Sequence, residues 1–194
     1  RFAPPRSIGK LTPGGSRVFC FPHHVIHRKQ DFTMQLTLSV VAQATGVPLG
    51  ALCQWVQRGA LALGEGDTPP AGQGHAALLG KRRLAQVAIV GALTRAGAMT
   101  GRAVRLAYHF SDKRDGLDED GAFLRREPGE LYAGRDTYLV AAPGAPPQIV
   151  GAPPGTAHSR IIAAACNRTN PAGTLVLHLD PIVSAALTRA ASLN

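Results

Sequence analysis

Few side chains in this sequence are spaced for catalysis. His178 and Asp180 flank one residue at the end of an apolar run, which puts both on one side of a strand end. His109 and Asp112 stand where a helical pattern stops. Either pair could move a proton, but a helix cap or a strand-end turn uses the same residue types. Cys166 would need a base beside it to act as a nucleophile, and the sequence puts none there. Gly-x-Ser-x-Gly, His-Glu-x-x-His, the P-loop and a Gly-x-Gly-x-x-Gly turn between strand and helix are all missing. No catalytic residue is expected, and the chain is not read as an enzyme.

Metal chemistry finds little more in the spacing. His23 and His27 are four residues apart and could share a helix face with His24 nearby, but no Glu or further ligand follows. Asp118-Glu119-Asp120-Gly121 lacks the alternating ligands and closing Glu of a calcium loop and reads as a solvated acidic stretch. Cys20, Cys53 and Cys166 are odd in number and far apart, with no Cys-x-x-Cys, which argues against a disulfide framework or a zinc knuckle. Neither a cofactor nor a metal site is expected.

Binding chemistry is better represented. The net charge is +9 over 194 residues, and it is unevenly placed. Residues 1–33 carry six Lys/Arg against Asp31 alone, and residues 34–110 carry seven against Glu65 and Asp67. Residues 111–137 are net acidic, with five bases and eight acids. The positive field of the first 110 residues would attract a polyanion, either nucleic acid or an anionic membrane surface. No apolar run approaches the roughly 18 residues of a membrane span, and residues 1–10 do not look like a signal peptide. A cytoplasmic location without membrane association is the default expectation. Hydrophobic residues at 45% suffice for a core, but with aromatics at 5% it must be mostly Ala, Val, Leu and Ile.

The elements that would position these groups can be read from caps and breakers. Pro4-Pro5, Pro13-Gly14-Gly15 and Pro22 interrupt any helix in residues 1–33. Helical patterning begins near Met34, so the preceding segment is expected to be a disordered basic tail or to lie upstream of the natural start. Thr37 is suited to cap a first helix carrying Leu38, Val41 and Ala42, and Gly46 to close it. Pro48 suits the first turn of a second helix with Leu52, Trp55 and Val56 inward, ended by Gly59. Short strands are expected at 60–63 and 76–79 around a loose tip. A third helix should run from Lys81 to Ala96, and a fourth, capped by Thr100, should bury Ala103, Leu106, Ala107 and Phe110. Beyond a charged linker at 111–130, residues 137–142, 148–150 and 174–179 read as strands, 161–166 as strand or helix, and Asp180-Pro181 as the start of a final helix.

The stretch Leu36-Thr37-Leu38-Ser39-Val40-Val41-Ala42-Gln43-Ala44-Thr45-Gly46-Val47-Pro48, continuing to Leu52-Cys53-Gln54-Trp55-Val56-Gln57-Arg58-Gly59-Ala60-Leu61, resembles the winged helix-turn-helix of MerR-type DNA-binding proteins. The likeness rests on Ala42, Gly46, Val47, Leu52, Trp55, Arg58 and Gly59 and covers about residues 36–110. It implies a second helix lying in the major groove. Cys53 and Gln54 stand where the family usually has basic residues, and the family's long dimerising helix is not evident.

The resemblance and the outward positions together give the expected DNA contacts: Thr37, Pro48, Gly50, Ala51, Gln54, Gln57, Arg58, Lys81, Arg82 and Arg83. Gln54 could pair with adenine, Arg58 with a guanine edge or phosphate, and the Lys81-Arg82-Arg83 helix start with phosphate. The expected fold is α+β: a basic tail (1–33), a winged helix-turn-helix (34–110), a linker (111–130) and a small α/β module for dimerisation or sensing (131–194). The expected function is a bacterial-type transcriptional regulator binding double-stranded DNA as a homodimer, with any small-molecule effector unidentified. A phage-type architectural factor (an excisionase or a terminase small subunit) and a protein-interaction adaptor are the alternatives.

Overall fold

The computed structural model describes residues 34–72, 75–166 and 173–193. The readings made for residues 1–33, the His23, His24 and His27 cluster among them, lie outside the described residues. Phe32–Asn194 groups as one unit, a mixed α+β arrangement of six helices and two small sheets among the described residues.

Its first part follows the local signals closely. After strand β1 (Leu36–Thr37) comes helix α1 (Leu38–Thr45), where Thr37 Oγ1 accepts from the Val40 amide at 3.4 Å. Gly46 ends α1 at φ 69°, a left-handed conformation that a side chain would strain. Pro48 precedes helix α2 (Leu49–Gln57) as its N-cap, one position earlier than the expected first helical residue. The strand expected at 60–63 does not form. The chain bends at Ala60 and Leu61, and the Leu61 amide donates to the Trp55 carbonyl, which folds Leu61 into the core. Strand β2 (Leu78–Leu79) pairs antiparallel with β1, and Thr68 bridges to Leu78 from the other side.

Helix α3 (Lys81–Arg95) is the central element, buried at every position from Arg83 to Gly91. A helix enclosed on all sides cannot be amphipathic, and its neighbours supply the reason. It packs against α1, against helix α4 (Thr100–Ser111) and against α6, described below. Ala103, Leu106, Ala107 and Phe110 form the inner face of α4, as their spacing predicts. Thr100 is its first residue and Met99 its cap.

The second sheet contains strands β3 (Leu117–Asp118), β4 (Asp136–Ala141), β5 (Gln148–Ala152) and β6 (Leu175–His178) in the order β3-β5-β4-β6. Only β3 and β5 run parallel. Side chains alternate along β4: Leu139 and Ala141 join Phe110 and Ile149, whereas Tyr138 and Val140 meet helix α5 (His158–Cys166) on the other face. Burial on both faces explains the apolar run Tyr138 to Ala141 in β4. It also favours a covering helix at 158–166, which resolves the strand-or-helix ambiguity of residues 161–166.

Residues 111–130, expected to be a charged linker, mix exposed and packed positions. They contribute β3 and the buried Arg126, whose guanidinium donates to the carbonyls of Phe110 and Lys113 at 2.8 Å, of Glu127 at 2.9 Å and of Glu130 at 3.0 Å. Burial pushes Arg126 down to about 10, so it remains charged at neutrality. Helix α6 (Asp180–Leu193) then returns to the first half, where Ala186 and Ala190 share a cluster with Ala44, Leu84 and Val87. Leu139, Ile149 and Val183 share another with Ile89 and Phe110. The two expected modules thus pack around common cores.

Candidate nucleic-acid interface

The α1–α2 pair sets the orientation of the expected reading residues. Leu52 is fully buried on α2, and Trp55 and Val56 are half-buried against the core, which fixes the inner face. Pro48, Gly50, Gln54, Gln57 and Arg58 are exposed, and Ala51 is half-buried at the boundary. The spacing from 50 to 54 to 57 and 58 puts these on one helical stripe. Leu49 is also 45% exposed there, an apolar group beside the polar stripe. Thr37 is exposed but bonded locally, to the Val40 amide and to Ser39 Oγ at 2.9 Å.

The C-terminal end of α1, beside the turn, is met by two guanidinium groups. Arg95 donates to the Thr45 carbonyl and Arg189 to the Ala44 carbonyl, each at 3.4 Å. Cations at this end complement the helix dipole and its unpaired carbonyls.

The start of α3 differs from expectation. Lys81 is exposed, and Arg82 is partly exposed and paired with Glu65 at 3.1 Å. Arg83 is only 1% exposed and turns inward. Its Nε donates to Asp67 Oδ2 at 2.9 Å, its Nη1 to Asp112 Oδ2 at 2.8 Å and to Gln86, and its Nη2 to Asp112 Oδ1. Asp67 also accepts from the Gly64 amide at 2.7 Å and from the Gly80 amide, at the helix cap, at 2.8 Å. The anion at this helix start is therefore a carboxylate of the chain itself. Arg83 is corrected from a phosphate contact to a structural ion pair, because burial beside two carboxylates leaves it no outward path.

Burial alone would depress Arg83, but Asp112 and Asp67 outweigh it and raise its pKa. Burial likewise pushes Asp112 up, yet hydrogen bonds from Arg83 and Ser111 and the positive charge of Arg83 hold it below the ordinary carboxylate value. His109 is lowered, first by burial and then by the Lys113 charge. Asp112 is thus committed to Arg83. Close packing completes this corner, since a Cβ on Gly80 would lie 2.7 Å from the Gly66 carbonyl oxygen.

Sequence reasoning missed Asp67 and Asp112 as partners of Arg83 because 16 and 29 residues separate them from it. The one available signal was an arginine in a segment that is otherwise apolar from Leu84 onward. Exposed basic residues elsewhere in the first half are Arg58, Arg95, Arg102 and Arg105. No helix of the described residues is long and apolar enough to cross a membrane. No protein-family model matches the chain, and a search of curated proteins finds no match.

Proposed function

We propose that residues 34–110 act as a winged helix-turn-helix that binds double-stranded DNA, with α2 reading base edges, and that the chain is a transcriptional regulator of MerR-like type. The observation that carries this reading is the outward stripe of α2. Gly50, Gln54, Gln57 and Arg58 are exposed on a helix anchored from behind by fully buried Leu52. The major groove admits a helix, and glutamine and arginine are the side chains that pair bidentately with adenine and guanine. The small residues Gly50 and Ala51 let the backbone approach closely. The β1–β2 ribbon with the Thr68 bridge is the counterpart of a wing, and Lys81, Arg82, Arg102 and Arg105 supply phosphate contacts.

The test is paired binding to a duplex selected from random sequence and to its scrambled counterpart. Gln54→Ala, Gln57→Ala and Arg58→Ala should each cost about 1–3 kcal/mol on the selected duplex and little on the scrambled one. Lys81→Ala with Arg82→Ala should weaken both alike and reduce the salt slope, by about 0.9 for each phosphate no longer neutralised. If the α2 variants bind both duplexes as the parent does, α2 is not a reader. The adaptor reading would then lead, since Leu49 gives the same surface an apolar anchor.

A further inference from the structure

At one corner of the second sheet β4 begins, β6 ends and α6 begins. The β4–β6 ladder sets Tyr138 opposite His178, and Asp136, two residues before Tyr138, shares its side of the sheet. His178 Nε2 lies 3.3 Å from Asp180 Oδ2 and 3.8 Å from Asp136 Oδ1. One ligand atom from each of the three residues falls within 4.8 Å of the others. Nε2 is itself shielded from solvent and has no hydrogen-bond partner among the described residues.

The surroundings hold these donors in place. The His178 ring stacks on Tyr138, with centroids 4.8 Å apart and planes at 21°. Asp180 Oδ2 accepts from the Thr137 amide at 2.6 Å, and Asp136 Oδ2 accepts from the Tyr138 hydroxyl at 3.3 Å. That leaves Asp136 Oδ1 directed at the imidazole. Ligand bonds of about 2.0–2.1 Å in a tetrahedron put neighbouring donors about 3.3 Å apart; the His178–Asp180 pair has that separation, and the Asp136–His178 pair is wider. A nitrogen with two carboxylate oxygens suits a first-row transition cation, whereas magnesium and calcium take oxygen ligands. Two carboxylates also balance a divalent charge.

We propose that Asp136, His178 and Asp180 bind a divalent first-row transition cation of the zinc type, with water completing its coordination. The site joins two strands to α6, the helix that packs on α1 and α3. It draws on observations separate from those behind DNA binding, and either reading can fail alone.

The experiment uses the 194-residue chain with His23, His24 and His27 each changed to Asn, which removes the competing histidine cluster. Cobalt(II) should bind at one equivalent with the visible absorption of low-coordinate cobalt, and zinc(II) should displace it. His178→Gln and Asp136→Asn should each weaken cobalt binding at least about tenfold, with the circular dichroism spectrum unchanged. Absence of a one-equivalent cobalt complex, cobalt binding unaffected by His178→Gln, or displacement of cobalt by millimolar magnesium would overturn the proposal. A second readout needs no variant at this corner: stoichiometric zinc should shift the Nε2 resonance of His178 in nitrogen-edited NMR. An unmoved resonance would mean that the three residues form an ion pair only.

Discussion

The Arg83 guanidinium engages carboxylates from two places, Asp67 between α2 and β2 and Asp112 at the end of α4, and thereby ties the segment before β2 to the helices. Its value lies in the cost of breaking it. Arg83→Met should destabilise the chain by about 3–5 kcal/mol, measured by urea unfolding, because two carboxylates lose their charge partner. DNA affinity under folding conditions should change far less, in contrast to the Lys81 and Arg82 variants. Acid should act at the same corner in two steps. His109 has a lowered pKa, so the unfolded chain binds its proton first, and stability falls as pH drops through and below the ordinary histidine range. Asp112 is also lowered; its contribution is complete above the ordinary carboxylate range and is lost as pH falls toward the folded value. The urea midpoint followed from about pH 8 to about pH 3 should show both declines. His109→Gln should remove the upper one, and Asp112→Asn the lower.

Turns and caps illustrate what a sequence reveals about elements. Thr37, Gly46, Gly59 and the Asp180-Pro181 pair act on their own neighbours, and the helix ends they imply match those observed to within about a residue or two. Gly46 is the most constrained of these. Gly46→Ala should lower stability by about 1–2 kcal/mol through its left-handed backbone, with the melting temperature as the measure. What stayed hidden depends on distant partners. Lys81-Arg82-Arg83 reads as one uniform basic run, yet only its third member is enclosed, by residues from other elements. The acidic, glycine-bearing composition of 111–130 suggests a linker, while main-chain carbonyls gather Arg126 into the interior. Asp136 stands 42 residues from His178, so their meeting depends on the β4–β6 register. The stripe on α2 is the part of the proposed interface that local periodicity can reveal.

At the scale of the whole molecule, the helical half and the sheet half cannot be parted cleanly. Ala186 and Ala190 of α6 sit among Ala44, Leu84 and Ala88, and Val183 shares a cluster with Ile89 and the sheet residue Leu139. A fragment of residues 34–130 should therefore lack the cooperative melting of the full chain and regain it when a second fragment of residues 131–194 is added. An independent, sharp transition for the fragment would instead restore the two-module organisation.

The Arg189–Ala44 hydrogen bond joins residues 145 apart in the chain. Synthesis runs from the N-terminus, so α1 and α3 emerge from the ribosome well before α6, the helix that packs on them. Until then the apolar surface around Ala44 and Leu84 is a client for a holding chaperone or a sticking point for a neighbouring nascent chain. Proteolysis of stalled nascent chains should find α1 cleavable until α6 has cleared the ribosome. A helix pair that looks autonomous on paper reaches its final packing only after α6 has emerged.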